Sequence, residues 1–387
     1  MTSVVSGVAS VAATHPTWME IDTEAVAANL AEIRRRARPG VKVIASVKAN
    51  AYGHGIIPVA RALETAGVEM LATGSFSEAK AVRAAGVSTP IVMLAGSLPE
   101  GITELVDAAF MPTVYDRGGA EAAAKAAGSS PAKVFIKVDC GMGRLGVSLA
   151  DAPGLVDHIA SLDGVDVEGI YTHLSFKDAG GMAYARERLD LFYGVLRELR
   201  ARGHDIPVTQ ALASSALMVG WQDDCNAICP GHVLYGMPSV VSGLAPLQGF
   251  KPVLGAVKSR VIDITDHDDA LIGRGAYHGD RKERRTVVVP CGLNDGNRSA
   301  VDGETAEVLF KGRRLKVLGG SLEHLVIEVP SDVEIAIGDT VTIVGGAGDR
   351  RIDIAEYARW QGGTSIACML SLSARMPVIP RDREQSD

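Results

Sequence analysis

Short β-branched runs alternate with Ala-, Leu- and Arg-rich stretches along the first two-thirds of the chain. Val41–Val47, Pro90–Leu94, Val134–Val138 and Val167–Tyr171 read as strands. Between them, apolar residues recur at helical spacing. Glu24–Arg36 puts Val26, Leu30 and Ile33 on one face, and Ala185–Arg200 does the same with Leu189, Phe192, Leu196 and Leu199. Strand–helix alternation of this kind predicts parallel βα units. Their number, about eight, fits a closed (β/α)8 barrel of the TIM type better than an open sheet. After about Gly249 the texture changes. Val257–Ile264, Thr286–Val289, Ala306–Phe310, His324–Val329 and Asp339–Val344 read as strands joined by Gly and Asp turns, with one helix over Ile354–Trp360. The expected organisation is an N-terminal extension (1–17), a barrel (18–248) and a C-terminal mostly-β domain (249–387). Arg381–Asp387 reads as a frayed tail.

Composition narrows the function classes. A chain of 387 residues suggests two or three domains. Its net charge of −7 leaves no basic surplus to neutralise phosphates, which argues against nucleic acid as a partner. There is no run of 18 apolar residues, so no membrane span is expected. The five cysteines (Cys140, Cys225, Cys229, Cys291 and Cys368) form no CxxC pair, and no metal site is expected. An odd count without pairing fits a reducing cytoplasm. Met1 to Ala13 is small and mildly apolar, but no Lys or Arg precedes Arg34, so it lacks the charged start of a signal peptide.

The candidate chemistry begins at Val43-Ile44-Ala45-Ser46-Val47-Lys48-Ala49-Asn50-Ala51-Tyr52-Gly53-His54-Gly55. Here a lysine ends an apolar strand. A buried ammonium is costly unless it is paired or neutralised. A neutral amine can condense with an aldehyde; a lysine that merely snorkels at a strand end is the plainer alternative. Lys48, Arg144, His173, Ser215 and Gly231 all fall at or just past the C-terminal ends of predicted strands, which is the catalytic face of a barrel. A hydroxyl followed by backbone N–H groups also suits a phosphate dianion.

The motif around Lys48 resembles the pyridoxal-phosphate (PLP) lysine motif of the alanine racemase family, and the resemblance continues over roughly residues 18–380. It implies a barrel plus β-domain, PLP as cofactor, an amino-acid substrate, and a homodimer with shared sites. Lys48 matches the family's Schiff-base lysine, which is also one of its two bases. Tyr52 matches a tyrosine on the cofactor phosphate. In Lys137-Val138-Asp139-Cys140-Gly141-Met142-Gly143-Arg144-Leu145-Gly146, Arg144 resembles the arginine facing the phenolic oxygen. Lys137 resembles a lysine that is carbamylated in some members and steadies that arginine. His173 resembles the histidine near the pyridine ring. Ser214-Ser215-Ala216 lies where the family has Asn-Ser-Ala, which makes Ser215 the implied phosphate ligand. Pro230-Gly231-His232 resembles the phosphate-binding turn, and Tyr235-Gly236 follows as in the family. The Glu-Pro-Gly-Arg signature of the decarboxylase branch is absent.

Four departures carry as much weight. In Val289-Pro290-Cys291-Gly292-Leu293-Asn294-Asp295-Gly296, the resemblance places the tyrosine that serves as second base where this chain has Leu293. Cys229 stands for the arginine facing the pyridine nitrogen. Ile366 stands where a phosphate-binding tyrosine is expected. Leu322-Glu323 replaces Met-Asp near the substrate carboxylate. Racemisation needs a proton removed from one face of the α-carbon and delivered to the other. The loop Gly275-Ala276-Tyr277-His278-Gly279 offers Tyr277 or His278 as a substitute base; a surface loop is the plainer reading. Leu293 and Cys229 therefore favour one-base chemistry: retro-aldol or hydroxymethyl transfer, decarboxylation, elimination or stereospecific exchange. An amino-acid racemase with a substitute base is the alternative, and a non-catalytic PLP-binding protein the third.

Overall fold

The computed structural model describes residues 15–268, 283–346 and 350–381. The chain enters on β1 (Thr17–Ile21), then runs through β2 (Lys42–Ser46), β3 (Met70–Thr73), β4 (Ile91–Met93), β5 (Met111–Val114) and β6 (Ala132–Asp139). A two-residue strand, β7 (Val147–Ser148), precedes β8 (Val165–Leu174), β9 (Val208–Leu212) and β10 (Ala227–Ile228). Eight of these strands, β2 to β6 and β8 to β10, pair in parallel, and β2–β10 and β5–β6 contacts close them into a barrel. One residue or more from every barrel strand enters a buried cluster: Ile44, Met70, Ala72, Val92, Met111, Phe135, Tyr171, Val208 and Ala227. Gly169 is obligatory there, because a Cβ would lie 2.3 Å from the Phe135 ring. Each fully buried large side chain contributes roughly 1.5–3 kcal/mol.

The second part of the chain supplies β11 (Leu254–Arg260), β12 (Asp263–Asp268), β13 (Glu283–Val289), β14 (Glu307–Phe310), β15 (Arg313–Gly320), β16 (Leu325–Val329), β17 (Thr340–Gly345) and β18 (Val378–Pro380). They form a mixed sheet in the order β12-β13-β16-β15-β14-β17-β11-β1-β18. Helices span Ile354–Trp360, as the sequence predicts, and Ser365–Leu372. Two expectations change. The run Val257–Ile264 breaks into β11 and β12, because Val261 and Ile262 leave the ladder to bond Asp339 and Val288. The barrel does not begin at residue 18. β1 pairs with β11 and β18 in the second sheet, held by its five-residue register on β11.

Contacts divide the chain into two compact units. One comprises Glu24–Ala51 with Ile56–Pro252. The other takes the residues up to Thr23, Tyr52–Gly55, and the chain from Val253 onward. No helix among the described residues is long and apolar enough to cross a membrane. The predicted tail and N-terminal extension lie almost wholly outside the described residues.

Between β2 and the helix Ile56–Thr65, the segment Lys48–Gly53 winds one turn of the opposite hand. Ala49, Asn50, Ala51 and Tyr52 have φ of 55°, 53°, 54° and 54°. The Ala51 N–H donates to the Val47 carbonyl at 2.8 Å. Left-handed helix costs roughly 1–2 kcal/mol per non-glycine residue, so this turn needs support from its surroundings.

Candidate active site

The barrel unit gathers the chemistry at the C-terminal ends of its strands. Lys48 stands two residues past β2, and the sequence reading of a buried lysine is corrected: the strand has already ended at Ser46, and Lys48 is exposed. Lys137 lies within β6 and His173 within β8. Ser214 and Ser215 follow β9, while Cys229 and Gly231 follow β10.

Arg144 is exposed and stands in a loop that the sequence encodes in detail. The Asp139 carboxylate accepts from the N–H groups of Gly141, Met142 and Gly143 at 2.9, 2.8 and 2.9 Å. Partial burial opposes the charge of Asp139, but these three donors hold its pKa below the usual range. Gly141, Gly143 and Gly146 take φ of 115°, 68° and 134°, and a Cβ on Gly146 would lie 2.6 Å from the Asp139 nitrogen. The glycines are therefore conformational requirements.

The electrostatics show that these residues converge. Burial lowers the pKa of His173 to about 3, and the charges of Lys137, Lys48 and Arg144 push the same way, so the imidazole is neutral. Lys137 is buried, with Nζ 4.8 Å above the Tyr171 ring. Burial, and then the charge of Arg144, lower its pKa to about 8. Cys229 is half-buried against the barrel cluster. Burial raises its thiol to about 11 against the pull of Lys48 and Lys137, so it too is neutral. Burial lowers His232 as well. Among the described residues, neither Lys137 nor Arg144 forms an ion pair; the Asp139 carboxylate is spent on the loop.

Two sequence expectations are adjusted. The Gly231 N–H does not stand ready for a phosphate; it donates to Ser214 Oγ at 2.9 Å, as does Val233 at 3.4 Å. Ser214 thus fastens the turn. Tyr235 is fully buried, and its hydroxyl donates to the Ser46 carbonyl at 2.9 Å, so it anchors the end of β2. Ser215 is fully buried, and its Oγ accepts from the Phe176 N–H at 3.3 Å. The sequence reading missed Tyr171, the ring beneath Lys137, whose hydroxyl pairs with Thr113 Oγ1 at 3.0 Å. Its place beside His173 in the same strand was the available signal.

In the second unit Tyr52 is buried. Leu293, Leu322 and Glu323 come together: the Leu293 N–H donates to the Ser321 carbonyl and the Asn294 N–H to the Leu322 carbonyl. Leu293 and Leu322 are exposed. Glu323 accepts from Asn294 Nδ2 and pairs with Arg375, which also holds Asp295. Ile366 lies in the helix Ser365–Leu372. Tyr277 and His278 lie outside the described residues. All five cysteines are free thiols.

These groups fit PLP. A reachable amine suits its aldehyde, buried hydroxyls suit its phosphate, and Arg144, with no carboxylate partner among the described residues, complements a phenolate. The comparisons agree. The model of the alanine racemase N-terminal domain matches residues 21–239, and that of the C-terminal domain matches residues 255–380. Alanine racemase of Methanococcus maripaludis is 32% identical over 375 residues, covering 94% of this chain and 98% of the relative. That of Desulforamulus reducens is 32% identical over 373 residues, with 94% and 98% covered. The crystal structure of alanine racemase from Bacillus anthracis with bound L-Ala-P superposes with a TM-score of 0.83 at 28% identity, covering 96% of each chain. That from E. faecalis gives 0.84 at 28%, covering 95% of this chain and 98% of the other. The chain belongs to the alanine racemase family of PLP-dependent enzymes.

Proposed function

We propose that this enzyme racemises a small amino acid of the alanine type, holding PLP at the mouth of its barrel. The observation that carries the reading is the convergence of Lys48, Lys137 and Arg144 on the neutral His173, with no carboxylate paired to Lys137 or Arg144 among the described residues. Near full-length similarity to proteins named alanine racemase supports the reaction. Bound PLP supplies an electron sink that acidifies the substrate's α-C–H.

The chain's own residues do the rest. Lys48 Nζ would anchor the cofactor and would move the α-proton on one face. Arg144 holds the phenolic oxygen. Ser215 would take the phosphate, with Ser214 fastening the turn at Gly231–His232 and Tyr235 the end of β2. His173 and the Cys229 thiol, both neutral, would lie beside the cofactor ring. Carbamylation of Lys137 would turn a cation that Arg144 repels into an anion that Arg144 attracts. The proton for the other face comes from Tyr277 or His278. The exposed Leu293 and Leu322 offer apolar surface to a second copy of the chain. Free thiols suit a cytoplasmic enzyme.

One-base chemistry at Lys48 is the second reading, supported by a leucine at position 293, which cannot carry a proton, and by the uncharged Cys229. Lys48→Ala tests the site shared by both readings. Its expected result is loss of the visible band of lysine-bound cofactor and loss of turnover by at least about a thousandfold. A Lys48→Ala enzyme with the wild-type band and turnover would contradict both.

A further inference from the structure

We infer that Glu78 is a positioning residue whose carboxylate clamps the left-handed turn that presents Lys48. The inference rests on Lys48 being the cofactor lysine.

Ser75-Phe76-Ser77-Glu78 opens the helix Phe76–Ala84 with the spacing of a capping box. In that motif the glutamate reaches back to the N–H of the capping serine. Only half of the box is made here. Ser75 Oγ accepts from the Glu78 N–H at 3.4 Å, but the Ser75 N–H goes to Thr73 Oγ1 at 3.4 Å. The Glu78 carboxylate is thereby released for other work. Oε1 accepts from the Asn50 N–H at 2.6 Å, and Oε2 accepts from the Thr73 hydroxyl at 2.5 Å.

Those two donors belong to different elements. Asn50 lies inside the left-handed turn, two residues after Lys48. Thr73 is fully buried and ends β3, the strand registered beside β2 through Ser46 and Ala72. One carboxylate therefore ties the strained turn to the end of a rigid barrel strand. Asn50 also accepts, through Oδ1, from the Ile56 N–H at 2.8 Å, which joins the turn to the next helix. A backbone N–H facing a carboxylate makes a strong, charge-assisted bond. The turn's four non-glycine residues in left-handed conformation require such a clamp. Without it, the segment relaxes toward right-handed or extended backbone, and Lys48 swings with it. A misplacement of about 1 Å in a reacting group can cost a hundredfold in rate.

The test uses the PLP-loaded full chain, with α-proton exchange from alanine in deuterated water as the assay. Glu78→Ala is expected to lower kcat at least about tenfold with KM nearly unchanged, and to shift the pH at which the visible cofactor band changes. Adding Ala49→Gly should restore much of kcat, since glycine takes the left-handed φ freely; Glu78→Gln should fall between. Should Glu78→Ala fail to fold, Thr73→Val decides, with a smaller loss in the same direction. Wild-type kcat and band profile in Glu78→Ala, or in Thr73→Val where that variant must decide, would overturn the inference. So would a loss that Ala49→Gly leaves untouched. Lys48→Ala, run alongside, separates the two claims: if it keeps the cofactor band, the lysine assignment has failed, whereas its loss of the band beside an unaffected Glu78→Ala indicts the clamp alone.

Discussion

At Lys137 a single side chain sets up a measurable dependence of stability on pH. The folded chain holds this amine at about pKa 8 against an ordinary 10.5, chiefly through burial. Between those values the unfolded chain binds the extra proton, so stability rises with pH from about 8 to 10.5 and is penalised below. The difference corresponds to about 3 kcal/mol at neutral pH. Lys137→Met should therefore stabilise the cofactor-free protein at pH 7 in CO2-free buffer by up to that amount, and its advantage should shrink toward pH 10.5. Urea unfolding at the two pH values checks this; an advantage that does not change with pH would exclude the burial account. The same balance of burial and charge keeps His173 and Cys229 neutral. None of it is visible in a sequence, where a histidine or cysteine carries only its ordinary proton affinity.

Among the elements, the Asp139–Gly146 loop shows how much a local pattern can encode. An aspartate followed by glycines two, four and seven residues on becomes a carboxylate collecting three N–H groups, with positive φ at each glycine. Gly146→Ala should break it, because the new Cβ would lie 2.6 Å from the Asp139 nitrogen at a φ of 134°. The expected result is a fall in kcat/KM of roughly a hundredfold, through Arg144, in an enzyme that still folds. A Gly146→Ala enzyme with unchanged kinetics would mean that the loop does not aim Arg144. Elsewhere the element reading had clear limits. The β-branched runs fall on β2, β4, β6 and β8. β15, with the polar start Arg313-Arg314, was not foreseen, because its partners β14 and β16 rather than its composition decide its state. The left-handed turn after Lys48 was equally hidden: Ala and Asn there carry no local preference strong enough to announce it, and it stands on contacts from Glu78.

For the whole molecule, barrel closure was legible, and so was the placing of Lys48, Arg144, His173, Ser215 and Gly231 at or past strand ends. The placing of β1 was not. A five-residue opening strand carries no mark of which sheet will take it, and its partner β11 lies more than 200 residues away. Whether a second base exists was not legible either. A tyrosine–histidine pair in a loop reads the same whether it is solvated or catalytic. The most direct measurement is therefore α-deuterium incorporation by the PLP-loaded enzyme, followed by proton NMR with chiral analysis of alanine supplied as the L-enantiomer. The account predicts α-deuterium in both enantiomers, with interconversion reduced by at least about tenfold in Tyr277→Phe or His278→Asn. Deuterium entering the L-enantiomer alone, with no D-alanine formed, would contradict racemisation and leave Lys48 working from one face.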